Sequence, residues 1–144
     1  MTNAGAPRIQ TEVQVMFFDT DCGGVVHNIA YLRFIEIART LLAEKLGMKL
    51  VEMAQTQCYP VVVRTEIDYR RGAKLGDRLR IDGWLERLER VRFWCGFQIR
   101  RLDDQALIAE SRQMLALLQM PEAKLLRLPE AWERYRELET TAPR

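Results

Sequence analysis

The chain has one histidine, His27, and only three cysteines, Cys22, Cys58 and Cys95. No CxxC pair occurs, the cysteines lie far apart, and His27 has no second imidazole to join. A Cys/His zinc site would need ligands gathered singly from dispersed positions, so no metal is expected. An odd, widely spaced set of cysteines also excludes a disulfide scaffold and predicts reduced, mostly buried thiols. Long apolar runs are missing too: polar or charged residues interrupt every stretch short of the ~18 residues of a membrane span. Residues 1–8 are small and polar with no apolar h-region, so no signal peptide is read and a cytoplasmic location is expected. Charge of one sign is not in excess: 22 Lys and Arg against 20 Asp and Glu leave +2, too little for bulk nucleic-acid binding.

What is present is an ordinary globular composition, 48% apolar and 29% charged over 144 residues. That length predicts one domain, 9–144, behind a flexible tail, 1–8. Charge is uneven along it: residues 61–101 hold 11 basic and 6 acidic side chains, a net of +5. This segment is either a solvated face or a landing site for a small polyanion.

Hydrophobic period sets the expected elements. Residues 9–18 alternate, which predicts a strand. Asp19-Thr20-Asp21-Cys22-Gly23-Gly24 then breaks the pattern. From Ile29 the step changes to three and four (Tyr31, Phe34, Ile35, Ala38, Leu41, Leu42, Leu46), predicting a helix of about five turns. Asn28 is its expected N-cap and Gly47 its C′ residue. Four strands follow: Tyr59–Tyr69, with Val61, Val63, Thr65, Ile67 and Tyr69 on one face; Leu79–Glu86; Val91–Ile99; and Ala106–Gln119. A short helix is expected after Pro129. One strand, a long helix, then strands joined by short turns predict an α+β fold: an antiparallel sheet of about five strands wrapped on one long central helix. The sheet edges and the bulky residues on both faces around Trp94 predict a homo-oligomer, a dimer or a dimer of dimers.

Residues 17–31 carry the chemistry. They run from a strand end, through a glycine turn, into a helix start. Unpaired N–H groups at a helix start can hold an oxyanion, and glycines let backbone approach a ligand closely. An Asp before the turn adds a carboxylate near the same point, which suffices for acyl transfer. On composition alone, Asp-x-Asp before Gly-Gly also reads as turn chemistry.

The run D-T-D-x-G-G-V-V-H-N-x-x-Y-x-x-x-x-E-x-A-R, residues 19–39, resembles the hotdog-fold acyl-CoA thioesterases of the 4-hydroxybenzoyl-CoA thioesterase type, including those found beside Tol-Pal genes. A looser likeness continues through 61–77 and 128–130. The resemblance implies hydrolysis of an acyl-CoA to an acid and CoA. It implies no separate cofactor, because coenzyme A belongs to the substrate. It places the catalytic carboxylate on Asp21, a structural role on Asp19, and the oxyanion donor on the backbone N–H of Asn28, with Gly23 and Gly24 shaping the turn. His27 is a candidate acid/base or a cap. Tyr31, Arg64, Arg70, Arg71 and Lys74 are candidates for the substrate and its CoA phosphates, with Arg90, Arg100 and Arg101 further basic choices. Glu36 is a second possible carboxylate or an Arg39 partner, and Cys22 lacks a histidine to activate it. Two other functions stay open: an acyl-CoA-binding protein without catalysis, and a hotdog hydratase. The hydratase pattern wants a His five residues after its Asp, where this chain has Val26.

Overall fold

The computed structural model describes residues 5–136. Six strands form one antiparallel sheet: β1 (Arg8–Gln14), β2 (Cys58–Tyr69), β3 (Arg78–Leu88), β4 (Arg92–Arg101), β5 (Leu107–Gln119) and β6 (Lys124–Leu126). The order is β1-β3-β4-β5-β2, with β6 added to the end of β5 at Leu117–Gln119. Between β1 and β2 the chain makes two helices, α1 (Asn28–Lys45) and α2 (Leu50–Thr56), and so crosses from one sheet edge to the other.

Alternation decides which face each strand buries. Leu79, Ile81 and Leu85 of β3 and Phe93, Phe97 and Ile99 of β4 point at α1, whose Tyr31, Phe34, Ile35, Ala38 and Leu42 complete the core. Helix α1 packs on β1, β3 and β4. Its last turn is closed by Leu46 and by Gly47 at φ +93°, a conformation that glycine adopts without a Cβ penalty. The indole of Trp132 donates to the carbonyl of Leu46 at 3.0 Å, sealing that end of the helix.

Several expectations need correction. A second α-helix, α2, follows the long one where none was expected. The segment after Pro129 is a 3-10 turn, Glu130–Tyr135. The first strand stops at Gln14, because Phe17–Asp19 coils into another 3-10 turn. Residues 5–8 are no loose tail: the carbonyl of Pro7 accepts from Leu85 N–H at 3.0 Å, and residues 1–4 lie outside the described range. The register of β2 against β5 shifts between Val62 and Arg64. Val62 therefore pairs with the core residue Leu115 and shares a face with Thr65, while Val61 pairs with Ala116 on the other face. Trp84 and Trp94 on the outer face are buried within the chain, Trp94 under the Arg112 guanidinium 4.2 Å from its ring. They give no motive for assembly. A side chain at Gly96 would meet the Trp84 indole at 2.5 Å, which is why a glycine stands in the middle of β4.

Candidate active site

The Asp-rich turn is built in layers. Asp19 is 2% exposed, and its Oδ2 accepts from Met16 N–H at 2.8 Å. Its Oδ1 accepts from Arg33 Nη2 at 2.6 Å, a pair joining the strand end to the second turn of α1. The Asp19 carbonyl accepts from His27 N–H at 2.8 Å. Two residues on, Asp21 is exposed. Its N–H donates to the Val25 carbonyl at 2.9 Å, its Oδ1 accepts from Gly23 N–H at 2.8 Å in an Asx turn, and its carbonyl accepts from the N–H of Gly24, which stands at φ +78°, at 3.1 Å. Among the described residues nothing donates to Asp21 Oδ2.

At the helix start, His27 rather than Asn28 is the N-cap: its Nδ1 accepts from Ile29 N–H at 3.1 Å. That bond fixes Nδ1 as the unprotonated nitrogen and occupies it, so any proton chemistry at His27 falls to Nε2. Ala30 N–H donates to the His27 carbonyl at 2.9 Å. Of these first three amides, only Asn28 N–H has no acceptor among the described residues.

A cleft of about 360 Å³ opens beside this start, lined by Val25, Val26, Asn28, Tyr31, Tyr69, Arg70, Arg71 and Gly72. It gathers four of the residues expected from sequence, Asn28, Tyr31, Arg70 and Arg71. Tyr31 is buried, and its hydroxyl accepts from Ala73 N–H at 3.1 Å. Burial pushes its pKa above the usual 10.0. Tyr69, which sequence reasoning passed over as a sheet residue, stands 5.5 Å from the Tyr31 ring and donates to the Asn28 carbonyl at 3.3 Å. Its place at the end of a strand facing the helix was the available signal.

The basic candidates separate. Arg70 is bound to Glu110 at 2.9 Å, and Arg64 sits on the outer face with Glu66 at 3.1 Å. The side chains of Arg71 and Lys74 have no ion pair among the described residues, and Lys74 pairs its backbone with Val25 at the site turn. Arg100 bonds the Gln105 carbonyl, and Arg101 is held by Asp77 and Asp104. Glu36 is 3.9 Å from Arg39, as their spacing predicts. Arg39 itself donates to the buried Gln113, a partner that sequence does not show. Burial lowers the Arg39 pKa, although Glu36 opposes the shift.

Cys22 is exposed and Cys58 half-buried, so only Cys95 meets the expectation of burial. Burial pushes the Cys95 thiol up to about 12 and keeps it unreactive. Among the described residues no group of three or more His, Cys, Asp or Glu side chains is placed to hold a metal ion, and no helix is long and apolar enough to cross a membrane. An open depression of about 770 Å³ between Arg8–Gln10 and Leu41–Lys45 contains none of the site candidates.

The curled antiparallel sheet, with the start of its long helix facing a cleft, defines an α+β protein of the hotdog type. Sequence comparison sharpens this. The thioesterase-like superfamily profile matches residues 15–134, and the chain belongs to that family. It is 28% identical over 124 residues to a 1,4-dihydroxy-2-naphthoyl-CoA hydrolase of Synechocystis, covering 85% of this chain and 89% of the relative. It is 41% identical over 71 residues to the acyl-CoA thioesterase YbgC of Haemophilus influenzae, 49% of this chain and 52% of that protein. The crystal structure of a 1,4-dihydroxy-2-naphthoyl-CoA thioesterase from Synechocystis superimposes with a TM-score of 0.78 at 25% identity, covering 89% of this chain and 94% of that one.

Proposed function

We propose that the protein hydrolyses an acyl-CoA thioester to a carboxylic acid and CoA, with Asp21 as the catalytic carboxylate and Asn28 N–H as the oxyanion donor. One observation carries the reading. A single hydrogen-bonded turn, residues 21–28, presents a carboxylate oxygen without a donor at one end and an amide without an acceptor at the other, beside a cleft. One can serve as base or nucleophile, the other can hold the negative oxygen that forms on the thioester carbonyl.

The chemistry needs little more. Thiolate is a good leaving group. In one route Asp21 Oδ2 takes a proton from water as its oxygen attacks the carbonyl carbon. The C–S bond breaks and the CoA thiolate takes up the proton. In the other route Oδ2 attacks the carbonyl directly and CoA leaves as its thiolate; water then hydrolyses the anhydride, which frees the acid, regenerates the Asp21 carboxylate and supplies the proton that the thiolate takes up. Arg71 and Lys74, which have no ion pair among the described residues, are the cations best placed to meet the CoA phosphates.

The same reading includes a second copy of the chain. Phe17, Phe18, Ile29 and Leu32 expose apolar surface beside the site turn, as do Val62 and Val63 on β2, which ends the sheet order. A homodimer joined there, alone or as half of a tetramer, would cover these residues and supply the far wall of the acyl site.

The test is release of free thiol from a panel of aromatic, short and long acyl-CoAs. Turnover on at least one of them is expected. If no acyl chain turns over while CoA esters still raise the melting temperature, the non-catalytic binding reading replaces this one.

A further inference from the structure

Asp19 is buried at the site without lining the cleft, and it is the most heavily bonded residue of the turn. Its carboxylate ties Met16 N–H on the incoming side and Arg33 on α1, and its carbonyl ties His27 N–H at the helix start. The segment needs these ties. The sheet ladder of β1 ends at Gln14, and beyond it Val15 bonds only the Gly76–Asp77 loop. Thr20 pairs with Val26 across the turn. Gly24, Val25 and Val26 also bond the Ala73–Leu75 loop, but Asp19 is the residue of the turn that bonds both the strand side, at Met16, and the helix, at His27 and Arg33, so how it is held helps set the position of Asp21 relative to Asn28 N–H.

Arg33 holds it. The guanidinium is half-exposed, lies 5.9 Å from the Phe18 ring, and is the one cation paired with the Asp19 carboxylate among the described residues. A buried carboxylate stripped of its counter-ion must take in water or turn outward, since an uncompensated buried charge is costly. Either response moves the strand end against the helix. We infer that Arg33 is a positioning residue for thioester hydrolysis: through Asp19 it fixes the distance between the Asp21 carboxylate and the oxyanion donor of Asn28. Arg33 does not line the cleft, and the residue of the site turn that it bonds is Asp19. The inference rests on the catalytic reading given above.

The test measures steady-state thiol release for the wild type, Arg33→Gln, Arg33→Lys, Asp21→Asn and the double variant Asp21→Asn/Arg33→Gln, each checked for folding at the assay temperature. A displacement near 1 Å at a reacting group costs on the order of a hundredfold, so Arg33→Gln should lower kcat about ten- to a hundredfold. KM should stay within about threefold, because binding contacts are untouched. Arg33→Lys keeps the charge and should return kcat to within about fivefold of wild type. In the Asp21→Asn background Arg33→Gln should cost no more than about twofold, because a misplaced base that is already absent costs nothing. An equal proportional loss in both backgrounds would mark a structural role and overturn the inference, as would wild-type kcat in Arg33→Gln. If Arg33→Gln fails to fold, Arg33→Lys with Asp19→Asn carries the same kcat-against-KM test. Near-wild-type turnover in Asp21→Asn sinks the assignment of Asp21. Loss there, with wild-type kcat in Arg33→Gln, sinks only the role of Arg33.

Discussion

The hydroxyl of Tyr31 accepts a hydrogen bond of 3.1 Å from the backbone N–H of Ala73, fastening α1 to the loop after β2 at the wall of the cleft. Both residues are buried. Tyr31→Phe keeps the ring against Phe34 and Tyr69 but leaves the Ala73 amide without a partner, a loss of about 1–3 kcal/mol. Burial raises the Tyr31 pKa above 10.0, so the folded state holds this proton more tightly than the unfolded chain. The stability that this supplies is fully present below the unfolded value and is lost as pH rises through the folded one. Denaturant unfolding at about pH 8 and about pH 11 should show a loss in the wild type that is smaller in Tyr31→Phe. An equal or steeper loss in the variant would contradict the assignment.

Arg71 and Arg64 stand in the same basic segment but in different surroundings. Arg71 lines the cleft with no ion pair among the described residues, whereas Arg64 is on the outer face with Glu66. Arg71→Ala should raise KM for the best acyl-CoA about three- to tenfold with kcat little changed, and the effect should shrink in high salt. Arg64→Ala should leave KM as it is. A reversed ranking, read from the same kinetic runs, would place the phosphates elsewhere.

The fold was legible where one period dominates. The long helix, the alternation of β3 and β4, and the Asp-Gly turn all follow from local residue choice. The bulge at Val63 was not, because a register shift is decided by the partner strand, which alternation within one strand does not reveal. Helix α2 is only 7 residues long, too short for its period to stand out. The burial of Trp94 depends on Arg112, 18 positions away and on a neighbouring strand. At the site, different roles for Asp19 and Asp21 were legible only through the resemblance. The Arg33 partner was not, since nothing in the spacing aims a helix arginine back at the turn.

Light scattering at micromolar concentration should find a dimer or tetramer and no stable, active monomer. Exchanging Ile29 and Leu32 for charged residues, on the exposed side of α1, should shift the species toward monomer and remove activity together. A fully active monomer would contradict the shared-site arrangement.

The central claim is that Asp21 performs the chemistry while Asp19 holds the turn. Asp21→Asn keeps an oxygen to accept from Gly23 N–H but removes the base or nucleophile. Asp19→Asn should lower stability by about a kcal/mol or more, with a smaller effect on rate. The direct measurement is thiol release by Asp21→Asn on the best acyl-CoA, with CoA binding and melting temperature recorded on the same sample. Binding and folding should persist while turnover falls at least about a hundredfold, within the ~10²–10⁴ range of general-base loss. Near-wild-type turnover in Asp21→Asn would contradict the account and make Glu36 the next carboxylate to replace.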